Sequence, residues 1–250
     1  MCDNREALGR EHDGFAAIGQ ACRMHRGMSA DLGNRRPLKS RDTGWARGAA
    51  AMLARAGVRP DAVSAGALVF ALVGGVAFAA SGRSGGAARA GLLLAAAVSI
   101  QLRLVCNLLD GMVAVEHGRG EPSGPIWNEL PDRIADALLL VGAGYGASLA
   151  GAAWAEPLGW LAAVLAVLTA YVRELGRGLG QPADFSGPGA KPQRMAVLTL
   201  AALVSAAEPL WDWRGQSLVA GLALIALLAA LTVGRRTFTL AARLRASSGA

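Results

Sequence analysis

Leu92-Leu-Leu-Ala-Ala-Ala-Val98-Ser-Ile100-Gln-Leu-Arg103-Leu-Val-Cys106-Asn107-Leu-Leu-Asp110-Gly111 is an apolar run that ends in charge. Residues 88–109 match the roughly 20 residues that a helix needs to cross a bilayer core. Five further stretches, 62–82, 133–153, 156–176, 194–210 and 216–234, have the same character. The chain therefore reads as an all-α integral membrane protein with six transmembrane helices. Composition agrees: of 250 residues, 53% are apolar and 17% charged, against about 25% charged in an average globular domain. That excludes a disordered chain and argues against a water-soluble enzyme. The 33 glycines and the 5% aromatic content suit helices that approach closely in lipid. Cys2, Cys22 and Cys106 show no metal-binding spacing and suggest no disulfide framework.

Working outward, residues 1–44 are polar and mixed in charge, and they lack the apolar core of a signal peptide. They read as a partly disordered cytoplasmic tail, whose first part, up to Met28, is consistent with an overextended start. Next come Trp45, Ala49, Met52, Leu53 and Ala56, which share one helical face, while Arg47 and Arg55 lie off it. This predicts a short interfacial amphipathic helix ended by Gly57 and Pro60, on the cytoplasmic side. The membrane domain is expected over 45–240, with 241–250 as a short basic tail.

Orientation follows from the basic residues at span ends. The tail, the 107–136 segment, the 176–193 loop and the C-terminus carry most of them; Arg83, Arg89 and Arg214 mark the other side. Both termini are thus expected in the cytoplasm, in a bacterial-type inner membrane. The net charge of +7 is read as contact with anionic lipid rather than nucleic acid. The six tryptophans fall near predicted span ends, where tryptophan is enriched anyway.

Ionisable residues in or beside a span are costly and call for a reason. Arg103, Asn107, Asp110 and Ala114 are spaced four, three and four apart, so they share one helix face; so do Asn128, Asp132 and Asp136. Two helices would then present oxygen-bearing side chains at one membrane depth. Hard cations such as Mg²⁺ or Mn²⁺ take oxygen ligands of this kind. Helix capping and interfacial charge explain the same spacing equally well. Pro131 fits only a first turn, which places the start of the third span near Ile126 to Glu129. His117 reads as a solvated loop residue.

The segment from Asn107 to Asp132 resembles the signature of the CDP-alcohol phosphotransferases, D-x2-D-G-x2-A-R-x8-G-x3-D-x3-D. Every spacing matches, and Asp110, Gly111, Ala114, Gly124 and Asp132 match in identity. Asn107 and Asn128 stand at the first and third aspartate positions, and Val115 stands at the arginine. The resemblance extends to Pro60-Asp61 ahead of the first span and to Gly187-Pro-Gly-Ala-Lys191-Pro-Gln-Arg194 ahead of the fifth.

The resemblance implies an enzyme of phospholipid biosynthesis. It would move a phosphatidyl or other phospho-alcohol group from a CDP-alcohol lipid substrate, CDP-diacylglycerol by preference, to an acceptor hydroxyl, with release of CMP. It further implies one or two Mg²⁺ or Mn²⁺ ions held by Asn107, Asp110, Asn128 and Asp132, with Asp136 restoring charge. Asp132 would be the general base. Gly111, Ala114 and Gly124, with Pro60 and Asp61, would face the nucleotide. Lys191 and Arg194, with Arg133, Arg173 and Arg103, would meet an acceptor phosphate. A homodimer among membrane lipids is the family's common state. The departures weigh against full metal loading: four aspartates carry −4, and two Asn replacements leave −2, so one tight ion or a weaker pair is expected. The competing reading is a catalytically silent binding or scaffold protein of the same fold. A transporter fits less well, because the polar residues gather at one face rather than at mid-depth.

Overall fold

The computed structural model describes residues 43–116 and 124–248, all within one compact unit, Leu38–Ala250. The polar tail and the loop carrying His117 lie outside the described residues. Among those described, the chain is helical throughout: α1 Gly44–Arg55, α2 Pro60–Arg83, α3 Gly86–Glu116, α4 Gly124–Leu149, α5 Ala155–Gly178, α6 Lys191–Ala207 with a 3-10 turn Glu208–Trp211, and α7 Gln216–Ser248. Five of them, α2, α3, α5, α6 with its 3-10 turn, and α7, are long and apolar enough to cross a membrane. This is a multi-pass membrane protein. The remaining long helix, α4, carries Glu129, Asp132, Arg133 and Asp136 in its first half. Composition therefore does not mark it as a span.

Local chemistry sets the helix ends. Gly57 takes a left-handed φ of 76°, and the backbone N–H groups of Ala56, Gly57 and Val58 close onto the last carbonyls of α1. Pro60 then occupies the first turn of α2, with Asp61 beside it, where a missing N–H costs nothing and a carboxylate suits the dipole. α4 departs from expectation. It begins at Gly124 rather than near 126–129, so Pro131 lies inside the helix. Its ring leaves the Trp127 carbonyl without the usual i+4 donor.

Helix neighbours form a closed circuit, α2–α3–α6–α7–α5–α4 and back to α2. The core between them is largely alanine, with Phe78, Leu93, Ile100, Leu139, Leu140, Leu198, Leu218 and Leu222 filling the larger gaps. Leucines and valines such as Val69, Val73, Val98, Leu161, Val164, Leu200, Leu227 and Leu231 point outward. This inverts the pattern of a water-soluble bundle and presents an apolar girdle to lipid. With little hydrophobic drive between helices in lipid, close contact supplies the cohesion. α2 crosses α4 at glycines: a Cβ on Gly142 would collide with the Gly75 backbone, and one on Gly75 would lie 2.6 Å from the Leu138 carbonyl oxygen.

α1 packs on α3 through Ala46, Ala50 and Ala54, beside Leu108, Leu109, Met112 and Val113. Trp45 and Met52, expected on its apolar face, are 54% and 64% exposed. The helix thus turns its small residues to the bundle and its bulky ones away.

The end of the bundle opposite the motif is clamped by a buried carboxylate. Glu208 accepts from Arg89 at 2.9 Å, Ser205 at 2.9 Å, and the backbone N–H groups of Gly215 at 2.6 Å and Ser217 at 2.7 Å. These contacts tie the start of α3 to the end of α6 and the start of α7.

Gly142→Ala is expected to lower the thermal unfolding midpoint of the protein in lipid nanodiscs, by an overpacking cost of about 1–3 kcal/mol. Gly91→Ala, where no atom approaches the added methyl, is expected to leave the midpoint unchanged or raise it. Equal midpoints for the two variants would show that the α2–α4 crossing is not close-packed.

Candidate active site

The polar faces of α3 and α4 meet at the end of the bundle where α2, α4 and α6 begin. Asp132 is 14% exposed and has both oxygens engaged. Oδ1 accepts from the Asn107 side-chain amide at 2.6 Å and from Arg103 at 3.5 Å, and Oδ2 accepts from the Lys191 ammonium at 2.6 Å. The Asn107 NH2, not its oxygen, must face a carboxylate. The position that carries a metal-binding aspartate in the signature is therefore a donor here.

One turn further along α4, Asp136 is 1% exposed and held between two arginines, Arg103 at 2.6 Å and Arg194 at 2.5 Å. Arg103 also reaches the Asp132 carbonyl oxygen at 3.2 Å and the Met195 sulfur at 3.1 Å. Arg194 adds bonds to the Gly189 carbonyl at 2.5 Å and the Thr169 hydroxyl at 3.2 Å. Arg103 and Arg194 are 0% and 2% exposed. Asp136 was expected among the metal ligands, but both of its oxygens are taken by guanidinium groups. Arg103 and Arg194 were expected toward an acceptor phosphate, but each turns inward to hold three helices together.

Asp110 completes the cluster. Its Oδ2 accepts from the Ser64 hydroxyl of α2 at 2.7 Å. Its Oδ1 is buried without a hydrogen-bond partner. Three carboxylates (Asp110, Asp132, Asp136) face three cations (Arg103, Lys191, Arg194), so the cluster sums to zero charge.

Among the described residues, no three Asp, Glu, His or Cys side chains converge as a metal site would require. The fit to a divalent cation rests on Asp110 Oδ1, the orphaned carboxylate oxygen, with Asn107 and Asp132 adjoining it. That donor set suits one ion rather than two.

Lys191 is fixed from its backbone. Ala190 ahead of it is buried, and Gly189 donates its N–H to Thr232 of α7 at 2.8 Å. A Cβ on Gly189 would run into the α7 backbone at Leu228, so only glycine lets the loop lie this close. Gly111 is buried beside Asp110, Ala114 is half-buried, and Gly124 opens α4. Asn128 lies on α4, with its side chain outside what is described. Pro60 heads α2, and Asp61 pairs with Arg59 at 3.7 Å; the structure shows neither bonded to the charged cluster.

A second group of charges adjoins the first through Thr169. Glu129 is bridged by Arg133 and by Arg173, the latter at 2.5 Å, and Arg173 also meets Glu174 at 2.8 Å. Its guanidinium lies 5.4 Å from the Phe185 ring centroid. Arg173 lines a shallow surface cleft with Asp184, Arg236 and Arg243, whose enclosed space of about 10 Å³ holds no more than about one water. Arg236 is anchored on the Thr169 carbonyl at 2.5 Å and the Ser186 carbonyl at 2.9 Å. Sequence reasoning missed Ser64, Arg236 and Arg243 as site residues. Ser64 lies one turn past Pro60, where a helical projection would have found it. Arg236 and Arg243 were read only as orientation charges.

No protein-family model matches the chain. A curated relative, the bifunctional IPC transferase and DIPP synthase of Rubrobacter xylanophilus, is 33% identical over 137 residues. That match covers 52% of this chain, but the chain spans only 30% of the relative's length. The phosphatidylinositol phosphate synthase of Mycobacterium tuberculosis, solved with manganese and citrate, aligns with a TM-score of 0.64 at 23% identity. It covers 78% of this chain and 88% of its own. The same enzyme solved with CDP-DAG bound also gives 0.64, at 24% identity over 78% and 92% of the two chains. The chain shares the fold of that synthase.

Asp136→Asn is expected to destabilise the protein strongly, because breaking a buried ion pair costs about 3–5 kcal/mol. Asp132→Asn, at a partly exposed position, is expected to cost less. Unfolding midpoints in the same nanodisc would check this; equal losses would remove the structural role assigned to the Arg103–Asp136–Arg194 bridge.

Proposed function

We propose that residues 45–240 form a membrane-embedded member of the CDP-alcohol phosphotransferase family. In this reading α4 is the third of six spans, α1 lies along the cytoplasmic surface, and both termini are cytoplasmic in a bacterial inner membrane. The protein would transfer a phosphatidyl group from CDP-diacylglycerol to an acceptor hydroxyl and release CMP. The observation that carries the reading is the meeting of the two motif helices: Asn107 touches Asp132 at 2.6 Å, and Asp110 keeps a buried oxygen unpartnered beside them. The gapped motif and a fold shared with a synthase solved with CDP-DAG bound support it.

The chemistry asks for few groups. The acceptor oxygen forms a bond to the phosphorus that carries the lipid alcohol, and the bond from that phosphorus to CMP breaks. The acceptor proton has to leave as this happens. Asp132 is the proposed base, since it is reachable from solvent and stands where the two motif helices meet. Lys191 holds its carboxylate in place before reaction and is near enough to follow the charge that develops on phosphate. One Mg²⁺ or Mn²⁺, held by Asn107, Asp110, Asn128 and Asp132, would supply neutralisation of the diphosphate oxygens and of the departing CMP. Gly111 and Ala114 keep the α3 surface low where the nucleotide would lie.

The surface beside Arg173 and Arg243, at the mouth of this shallow cleft, is the proposed place of the acceptor. Guanidinium groups match phosphate geometry, so an acceptor alcohol that carries phosphate suits it better than a neutral one.

The test is CMP release by the purified protein in nanodiscs containing CDP-diacylglycerol, with Mg²⁺ or Mn²⁺ and a panel of alcohols. Release is expected with phosphorylated acceptors and is expected to fall when EDTA is added. Asp132→Asn is expected to lower turnover by about 10²–10⁴ while CDP still binds. Arg243→Ala is expected to raise the acceptor KM with little change in kcat. Absence of release with every acceptor would favour a silent scaffold of the same fold.

A further inference from the structure

We propose that Lys191 is the internal counter-cation of this site, so that a divalent ion enters together with the anionic ligand rather than ahead of it. The proposal rests on the reading above, that the site takes a divalent ion and a diphosphate. It concerns what this chain does differently at that site.

Three observations lead to it. First, the Lys191 ammonium stands 2.6 Å from Asp132 Oδ2, so a carboxylate proposed to hold the ion already carries a cation. The Lys191 backbone is pinned, since Gly189 is bonded to Thr232 and pressed against α7. The ammonium is thus delivered to this spot by the fold.

Second, Asn107 donates to Asp132 Oδ1. An aspartate at 107 would place two carboxylates in contact, an arrangement that calls for a metal ion or a shared proton between them. The amide closes the contact with no metal at all. Asp110 Oδ1 is then the one carboxylate oxygen of the cluster without a hydrogen-bond partner.

Third, the cluster of Asp110, Asp132, Asp136, Arg103, Lys191 and Arg194 is already neutral. A divalent ion arriving alone would leave a largely buried site at +2. Arriving with a diphosphate of about two negative charges in a CDP-alcohol, or about three in CDP, it would leave the site neutral or close to it. Mg²⁺ is in any case commonly held by one or two carboxylates together with substrate phosphates. With the ligand present, the ammonium can leave Asp132 for a phosphate oxygen, which exposes Asp132 to the ion and to the acceptor.

Equilibrium dialysis of the full-length protein in nanodiscs against Mn²⁺, with and without CDP, tests this. Wild type is expected to retain little Mn²⁺ alone and about one ion per chain with CDP. Lys191→Met is expected to bind Mn²⁺ without CDP at least tenfold more tightly than wild type. Lys191→Arg, which keeps the charge, is expected to behave as wild type. Lys191→Gln, a polar side chain without the charge, decides the matter if Lys191→Met does not fold, and Asn107→Asp, which adds a carboxylate and leaves Lys191 in place, is expected to gain CDP-independent binding as well. Tight Mn²⁺ binding by wild type without CDP, or no gain in the folded variants, would overturn the counter-cation role while leaving the transferase reading intact. Binding of CDP with no Mn²⁺ retained by any variant would overturn both this proposal and the divalent ion. Failure to bind CDP at all would instead remove the transferase reading.

Discussion

Asp136 is the ion on which the bundle turns. Two arginines, from α3 and α6, close on one carboxylate of α4, all three side chains almost fully buried. A charge in such a place is tolerable only with partners of opposite sign and good geometry. The requirement therefore fixes the rotation of three helices about their own axes at once. Once those rotations are set, the residue one turn before Asp136, which is Asp132, has to face α3, and Lys191, one turn before Arg194, has to face Asp132. The site is a by-product of the bridge that supports it.

The arrangement divides labour between adjacent turns. The deeper turn of each helix is spent on cohesion, through Asp136, Arg103 and Arg194. The shallower turn, with Asp132, Asn107 and Lys191, keeps side chains partly exposed and joined by contacts that a ligand can replace. Asp110 belongs to neither group. It is held by Ser64 of a fourth helix and keeps one oxygen uncommitted. This gradient from closed to open contacts separates a site from mere structural glue.

Much of this was legible in the sequence. Six apolar stretches overlap the long helices, five of which are long and apolar enough to cross a membrane, and the i, i+3, i+4 arithmetic puts Arg103, Asn107 and Asp110 on one face and Asp132 and Asp136 on another. Periodicity does not say how deep a residue sits, however. Asp132 and Asp136 share a face, but one is reachable and the other sealed, and only the packing of α6 decides which. For the same reason the sequence could not say that Arg194, expected at an acceptor phosphate, bonds to Asp136, Gly189 and Thr169. Arg236 looked like an orientation charge and lines a cleft, because α7 runs on well past the length of a span. α1 shows the limit again: Trp45 and Met52 of the expected apolar face are exposed, and Ala46, Ala50 and Ala54 are the residues buried against the bundle.

The clamp around Glu208 has a bearing on how a two-tailed lipid could be admitted. Its carboxylate gathers Arg89, Ser205 and two backbone amides at the end of the molecule away from the charged cluster. It leaves α3, α6 and α7 little freedom to part there. Any spreading of these helices must then be greatest at the opposite mouth, like the jaws of a clothes-peg about its spring. On the proposed function, a fatty-acyl substrate would slip in sideways at the end that holds the charged cluster, with the far ends of the staves held shut.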